Sequence, residues 1–319
     1  MNKKRIICLA IALCALLSVC IFGGVQALAA EKTVESRGEI DVYLIAGQSN
    51  AVGFGSDGLS TSILNDPRYT NGFEDVLYYG RGDSNVISEL TPVKVGQGKD
   101  TNSVGAEIGI ASAVSGSNRM SAVIKHAVGA SYLYPTTDGS VAQASGTWTP
   151  PSYIEKYGVN TADNKIGDIY EAFLKTVTDG VNLLKEEGYT PVVKGIWWMQ
   201  GEAETNNLTR SNAYEELLTM LIAEMKKDLG EIFGADLSNL PFVMGKITRN
   251  PDPSYSQPAY VDVVNAAQVA VTSKVDKTFI VDTGSLRQLD GWHYCADAQH
   301  WIGTQFIDAI VSSDGKYPE

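Results

Sequence analysis

The feature that most constrains the fold is a series of short apolar runs separated by segments with helical periodicity. The apolar runs are continuous and do not alternate with polar residues, which is typical of parallel strands covered on both faces. We predict such strands at residues 40–46, 120–128, 192–199, 241–247 and 279–281.

Helical segments lie between these runs. Apolar residues recur every three or four positions over residues 166–184, and two further amphipathic segments span residues 263–275 and 296–311. Asn212 followed by Glu215 resembles a capping box at a helix start. Strands separated by helices predict a three-layer α/β/α sandwich with a mostly parallel central sheet.

The segments 59–100 and 135–164 are rich in Gly, Pro, Asp and Asn and are predicted to be loops. Loops at the carboxyl ends of parallel strands build the sites of such folds. The sequence shows no internal repeat and no low-complexity linker, so we expect one domain over residues 40–314.

Residues 1–30 have the pattern of a secretory signal peptide, with basic residues 3–5, an apolar stretch at 6–22 and small residues at 27–30. Residues 31–39 would form an N-terminal extension. We expect a secreted or extracytoplasmic protein. An uncleaved N-terminal anchor is the alternative, because the apolar stretch is almost long enough to cross a membrane.

The charge of the chain excludes several partners. Removing the leader takes away three of 25 basic residues and none of 37 acidic ones, so the net charge moves from −12 to −15. Such a protein is not expected to bind nucleic acid by neutralising phosphates, nor to bind an anionic membrane once the leader is cleaved. Its oligomeric state is not indicated.

Cysteine and histidine are scarce. Beyond the leader Cys295 stands alone, so the mature chain can form no internal disulfide, and a small buried hydrophobe is the expected role of this residue. The three histidines are His126, His293 and His300. They are too scattered to indicate a metal site. His126 in an apolar strand and His300 in the last helix are expected to be structural.

Three short motifs carry the chemistry. The first is Gly47-Gln48-Ser49-Asn50, which directly follows the first strand. A serine at such a strand-to-helix turn presents its hydroxyl at the carboxyl edge of the sheet, and Gly47 permits the tight backbone.

The second motif is Asp290-Gly291-Trp292-His293, just before the last helix. A serine nucleophile needs a base near neutral pH, and a carboxylate three residues upstream can orient the imidazole. The third is Gln200-Gly201-Glu202, at the end of the most apolar strand. The side-chain amide of Gln200 is suited to an oxyanion, and Glu202 could support other groups, so it leaves open which acid orients His293.

The order of these motifs resembles the sialate O-acetylesterase-like branch of the SGNH hydrolases, which includes the acetylxylan esterases of carbohydrate esterase family six. Residues 102–107 and 124–131 resemble two further blocks of that branch. The resemblance spans about residues 41–306.

The resemblance implies a flavodoxin-like fold, an acyl-enzyme mechanism without a cofactor, and acetylated carbohydrates as substrates. By position, Ser49 would be the nucleophile, His293 the base and Asp290 its orienting acid. The backbone amide of Ser49, with Gly105 and Gln200, would form the oxyanion hole.

Additional residues are expected to support the site or bind substrate: Gln48, Asn50, Glu202, Trp292 and Trp148. Trp292 flanks His293, and Trp148 lies in a Pro-containing loop, so we expect both to wall the substrate pocket. Two other functions stay open: an SGNH esterase for lipid or peptidoglycan acyl groups, and a non-catalytic glycan-binding protein on the same fold.

Overall fold

A seven-stranded sheet forms the middle layer of the fold. The computed structural model describes residues 35–162, 164–255 and 258–314. The strands are β1 (Gly38–Gly47), β2 (Phe73–Gly82), β3 (Asn85–Val93), β4 (Ser121–Ala127), β5 (Tyr189–Met199), β6 (Phe242–Gly245) and β7 (Thr278–Val281). Their order in the sheet is β3-β2-β4-β1-β5-β6-β7. Every neighbouring pair is parallel except β2 and β3.

Helices cover both faces of this sheet. The helices are α1 (Ser49–Val52), α2 (Thr61–Leu64), α3 (Arg68–Asn71), α4 (Ala106–Val114), α5 (Ser140–Ser145), α6 (Pro151–Tyr157), α7 (Asp168–Glu186), α8 (Leu208–Phe233), α9 (Val261–Lys274) and α10 (Ala296–Asp314). The helices α7, α8 and α9 pack together on one face, and α4 packs with α10 on the other. The predicted three-layer α/β/α sandwich with a mostly parallel sheet is confirmed.

The packing of α4 against α10 depends on two glycines. A Cβ added to Gly109 would lie 1.9 Å from the carbonyl oxygen of His300, and one added to Gly303 would lie 2.1 Å from that of Ala106. The two helix backbones therefore approach more closely than any side chain at these positions would allow.

The five strands predicted from continuous apolar runs are all present, whereas the antiparallel hairpin of β2 and β3 contradicts the prediction of a loop over residues 59–100. Strand β3 lies at the sheet edge, with much of its length exposed or half-buried. Edge strands carry polar residues where central strands carry apolar ones, so the hydrophobic signal is weak there.

Helix α8 also begins earlier than predicted. Its N-cap is Asn207, whose side chain accepts a hydrogen bond from the backbone N–H of Arg210. Asn212 and Glu215 lie inside the helix. The expected capping box is wrong because a short 3₁₀ turn, Glu202–Asn206, delivers the chain to an Asn five residues upstream.

The predicted signal peptide, residues 1–30, lies outside the described residues. Within the described part of the chain, no helix has both the length and the apolar character needed to cross a bilayer. From residue 36 onwards, the described residues form one compact unit.

Candidate active site

Ser49 lies at the carboxyl end of β1, the central strand of the sheet. Gly47 has a φ of 137°, and a Cβ there would lie 2.1 Å from the carbonyl oxygen of Met199 in the neighbouring strand β5. Glycine is therefore required where the chain turns from β1 into α1. The connections leave β1 in both directions, towards β4 and β5, and this position in α/β sheets forms a crevice for ligands.

The hydroxyl of Ser49 is available for chemistry. Ser49 is the first residue of α1 and is 6% exposed. Its Oγ makes no hydrogen bond with any described residue, and the residue lines an open pocket. A serine without a structural partner at a pocket floor is free to meet an incoming carbonyl group.

The residues on either side of Ser49 hold the site together. Gln48 Oε1 accepts hydrogen bonds from the backbone N–H groups of Gly201 and Ala203, at 3.3 and 3.2 Å. It thereby fixes the loop after β5 to the loop after β1. The predicted supporting role of Gln48 thus takes the form of a loop-to-loop connection.

Asn50 connects the same turn to the segment that carries His293. Its Nδ2 donates to Glu202 Oε1 at 2.7 Å and to the carbonyl oxygen of Trp292 at 2.9 Å. Its Oδ1 accepts from the backbone N–H of Tyr294 at 3.2 Å. Hydrogen bonds to the residues before and after His293 position this histidine relative to Ser49.

His293 and Asp290 form a direct pair. His293 Nδ1 lies 2.8 Å from Asp290 Oδ2, and Asp290 Oδ1 accepts the backbone N–H groups of Trp292 and His293 at 2.7 and 2.8 Å. Burial alone would raise the pKa of Asp290, but these hydrogen bonds outweigh it and hold its pKa below the usual range. An ionised Asp290 keeps the proton of a neutral imidazole on Nδ1 and leaves Nε2 as the base.

Ser49 and His293 line the same pocket, which has a volume of about 470 Å³. The other lining residues are Gln48, Phe54, Asp83, Gly129, Ala130, Tyr132, Glu202, Ala203, Asn206 and Trp292. The volume is within the roughly 300–1,000 Å³ range of small-molecule sites. Trp292, which we expected to wall the substrate pocket, is among these lining residues.

Phe54 fixes the orientation of the imidazole from one side. The rings of Phe54 and His293 stack with their centroids 4.3 Å apart and an interplanar angle of 12°. Phe54 was not predicted from the sequence, since a single aromatic residue in a Gly-rich turn carries no recognisable signal.

Glu202 is close to the imidazole but is not hydrogen-bonded to it. The carboxylate is buried, its Oε1 accepts from Asn50, and its Oε2 has no partner among the described residues. Burial raises the pKa of Glu202, with the Asn50 hydrogen bond and the proximity of His293 opposing the shift. Of the two acids left open by the sequence, Asp290 is the one that contacts His293.

The structure does not support the expected oxyanion roles of Gly105 and Gln200. The N–H of Gly105 donates to Glu107 Oε1 at 2.7 Å. The Nε2 of Gln200 donates to Glu204 Oε2 at 2.7 Å and to the carbonyl oxygen of Ser131 at 3.1 Å. Buried carboxylates therefore occupy both donors, and neither residue lines the pocket.

Two backbone amides at the pocket are unoccupied instead. The N–H groups of Ser49 and Ala130 donate to no residue in the described ranges, and both residues line the pocket. Ala130 has a φ of 54°, which is strained for a residue with a Cβ. Strain of this kind concentrates at functional sites. The two free N–H groups could serve as hydrogen-bond donors to a developing oxyanion.

The expectation that Trp148 walls the pocket is wrong. Trp148 is fully buried, and its ring packs against Trp198, Phe173 and His126. Its Nε1 donates to Ser131 Oγ at 3.0 Å, which satisfies the indole in the core. No described residue of the segment 135–164 lines the pocket.

The remaining histidines have structural roles, as predicted. His126 Nδ1 lies 2.8 Å from Thr176 Oγ1, and His300 Nε2 lies 2.8 Å from the hydroxyl of Tyr69. Burial lowers the pKa of both, that of His126 to about 4. Cys295 is buried, consistent with its expected role as a small hydrophobe. No cluster of His, Cys, Asp or Glu suited to a metal occurs in the described ranges.

Comparison with known proteins adds a family to this geometry. Residues 39–312 match the model of the family described as carbohydrate esterase, sialic acid-specific acetylesterase. A comparison with the curated proteins found no match.

Several solved structures share the fold at low sequence identity. A protein from Arabidopsis thaliana is 16% identical, with a TM-score of 0.58 over 86% of this chain and 98% of the other. NanS is 14% identical, with a TM-score of 0.58 over 87% of this chain and 98% of its own.

A carbohydrate acetylesterase from Xanthomonas citri is 11% identical, with a TM-score of 0.55 over 86% of this chain and 57% of that larger protein. At these identities the likeness establishes the fold, and the family match establishes the kind of enzyme. The chain belongs to the carbohydrate esterase, sialic acid-specific acetylesterase family and is a carboxylic ester hydrolase.

Proposed function

We propose that this protein is an exported serine esterase that removes O-acetyl groups from carbohydrates, of the acetylxylan or sialate type, through an acetyl-serine intermediate. The observation that carries the proposal is the pocket shared by Ser49 and His293, with Asp290 paired to the Nδ1 of this histidine. A nucleophile, a base and an orienting acid in this order are the requirements of acyl transfer.

The proposed reaction has two halves. Ser49 Oγ attacks the acetyl carbonyl carbon while His293 Nε2 takes its proton, and the N–H groups of Ser49 and Ala130 stabilise the oxyanion. His293 then protonates the departing sugar oxygen, which leaves acetyl-Ser49. Water, deprotonated by His293, attacks this ester, and acetate leaves as the proton returns to Ser49.

Hydrolysis of 4-nitrophenyl acetate tests the catalytic part. Ser49→Ala should lower kcat by about a millionfold, as removal of the nucleophile does in comparable triads. Ser103→Ala is the matched control, because Ser103 is a buried serine whose hydroxyl bonds to Asp100 away from the pocket. Equal hydrolysis by wild type and Ser49→Ala would show that the chain does not act through this serine.

A substrate panel separates the proposed function from the two alternatives. Acetylated glycans should be turned over faster than long-chain acyl esters, because the pocket is small. Better turnover of long-chain or peptidoglycan esters would favour the alternative of an SGNH esterase for lipid or peptidoglycan acyl groups. Glycan binding without any hydrolysis would favour a binding protein.

The proposal that the protein is exported rests on the sequence of residues 1–30. Expression of the full chain in a bacterial host should give a soluble extracytoplasmic protein whose N-terminus begins near residue 31. A membrane-bound product that retains Met1 would identify an uncleaved anchor.

A further inference from the structure

The charges that line the pocket are unusual for a site that binds an acidic sugar. The lining includes two carboxylates, Asp83 and Glu202, and the imidazole of His293, while no lysine or arginine of the described chain lines it. The whole chain has a net charge of −12. The two lining carboxylates would repel a substrate that carries a carboxylate, and no lysine or arginine among the lining residues would pair with it.

Asp83 is placed to contact a substrate. It lies in the two-residue turn between β2 and β3, is half-buried, and has a φ of 37°. Its Oδ1 accepts the N–H of Gly129 at 2.7 Å, next to Ala130 at the proposed oxyanion site. Its Oδ2 has no hydrogen-bond partner among the residues described, so one carboxylate oxygen is left facing neighbours that line the pocket.

Two cations contact aromatic residues that line the pocket, and the buried Lys125 also interacts with the charge of Asp83. Lys99 Nζ lies 4.9 Å from the ring centroid of Phe54, and the guanidinium of Arg210 lies 4.6 Å from that of Tyr132. Burial raises the pKa of the neighbouring Glu204 to about 7, and the charge of Arg210 opposes that rise. None of these three cations lines the pocket.

We infer that the pocket accepts acetyl esters of uncharged sugars and discriminates against sugars that carry a carboxylate, with Asp83 as the specificity-determining residue. Asp83 Oδ2 accepts a hydrogen bond from a sugar hydroxyl, and its negative charge repels a substrate carboxylate. This inference rests on the proposed function and selects the substrate class of the same site.

Two matched substrates test the inference directly. One is a methyl glucoside and the other a methyl glucuronoside, each acetylated at the same secondary hydroxyl. The glucoside carries a hydroxymethyl group where the glucuronoside carries a carboxylate. The wild-type kcat/KM should favour the glucoside by about tenfold or more at low ionic strength. The preference should shrink as added salt screens the repulsion.

The variant Asp83→Asn provides a second test of the inference. Asparagine keeps an acceptor for the Gly129 N–H but removes the charge, so the glucoside preference should fall severalfold, mainly through KM. Asp75→Asn is the matched control, because Asp75 is also half-buried on β2 and accepts a glycine N–H, from Gly116 at 2.6 Å, but does not line the pocket. Asp75→Asn should leave the ratio of the two kcat/KM values unchanged.

Equal or faster turnover of the glucuronoside by wild type would overturn the inference. If Arg210→Gln then removed that turnover, Arg210 would be a carboxylate-binding residue. A glucoside preference that neither salt nor Asp83→Asn alters would overturn the role of Asp83. Failure to hydrolyse even 4-nitrophenyl acetate would instead refute the proposed function, so the two failures are distinguishable.

Discussion

At the scale of single residues, the site depends on which carboxylate contacts the imidazole of His293. Asp290 makes a direct hydrogen bond to His293, whereas Glu202 is buried beside it and bonds to Asn50. The two carboxylates therefore have different tasks. Asp290 orients the imidazole, and Glu202 holds Asn50, which in turn fixes the residues around His293.

We predict that Asp290→Asn lowers kcat for 4-nitrophenyl acetate by about ten-thousandfold, as loss of the orienting carboxylate does in a comparable triad. The amide would stabilise the wrong tautomer of His293. Glu202→Gln, which retains a hydrogen-bond acceptor for Asn50, should cost far less. The reverse ranking in kcat would show that Glu202 is the acid that serves His293.

A second residue-scale prediction concerns His126 and the pH dependence of stability. Burial lowers its pKa from 6.5 to about 4, and its Nε2 has no partner in the described chain. Thr176 Oγ1 donates to the carbonyl oxygen of Ala172, so it accepts the proton on His126 Nδ1. The folded protein holds the neutral ring, and acid favours the unfolded chain.

The stability that neutral His126 contributes is fully present above pH 6.5 and is lost as the pH falls towards about 4. The loss amounts to about 3 kcal/mol in the free energy of unfolding. His126→Asn cannot titrate in this range, so urea unfolding should show wild type losing its advantage over the variant across this window. Parallel stability curves for the two proteins would contradict the assignment.

At the scale of elements, one buried ion pair joins the parts that surround Ser49. Lys125 of β4 and Glu107 of α4 are fully buried, with Nζ 2.9 Å from Oε2. Lys125 also donates to the carbonyl oxygens of Val52, at the end of α1, and Gln97. Burial lowers the pKa of Lys125, and the charge of Glu107 opposes that shift.

Removing one partner of this pair should be costly. We predict that Glu107→Gln lowers the free energy of unfolding by about 3–5 kcal/mol, because it leaves a buried ammonium group without its counter-charge. Lys125→Met combined with Glu107→Leu should cost less than the sum of the two single changes. Additive losses in chemical denaturation would show that the pair does not act as a unit.

The central strands and the positions of the candidate site residues were predictable because both follow local rules. Continuous apolar runs mark β1, β4 and β5, and Ser49 and Glu202 directly follow two of these strands. The Asp290-x-x-His293 spacing also allowed a direct contact to be foreseen. Each of these features depends on residues close together in the chain.

The features that depended on distant partners were not predictable. From the sequence, the amides of Gly105 and Gln200 could be expected to donate to an oxyanion. In the fold they donate hydrogen bonds to the carboxylates of Glu107 and Glu204. Trp148 could not be assigned to the core from its loop sequence. Asp83 lies in Gly82-Asp83-Ser84-Asn85, a turn sequence after an aromatic run, and this hairpin signal was the one that could have located it.

At the scale of the whole molecule, three loops from neighbouring strands converge on one pocket. Strands β4, β1 and β5 are adjacent in the sheet, and the residues that follow them supply Ala130, Ser49 and Glu202. The last loop before α10 brings His293 to the same place. The parallel sheet thus assembles the candidate active site from residues that are far apart in sequence.

Trapping the acyl-enzyme tests this account most directly. Wild-type protein mixed with 4-nitrophenyl acetate, quenched in acid during turnover and digested, should yield a peptide with one acetyl group on Ser49 by mass spectrometry. Ser49→Ala should yield none. An acetyl group on a different residue during productive turnover, or undiminished hydrolysis by Ser49→Ala, would contradict the assignment of Ser49 as the nucleophile.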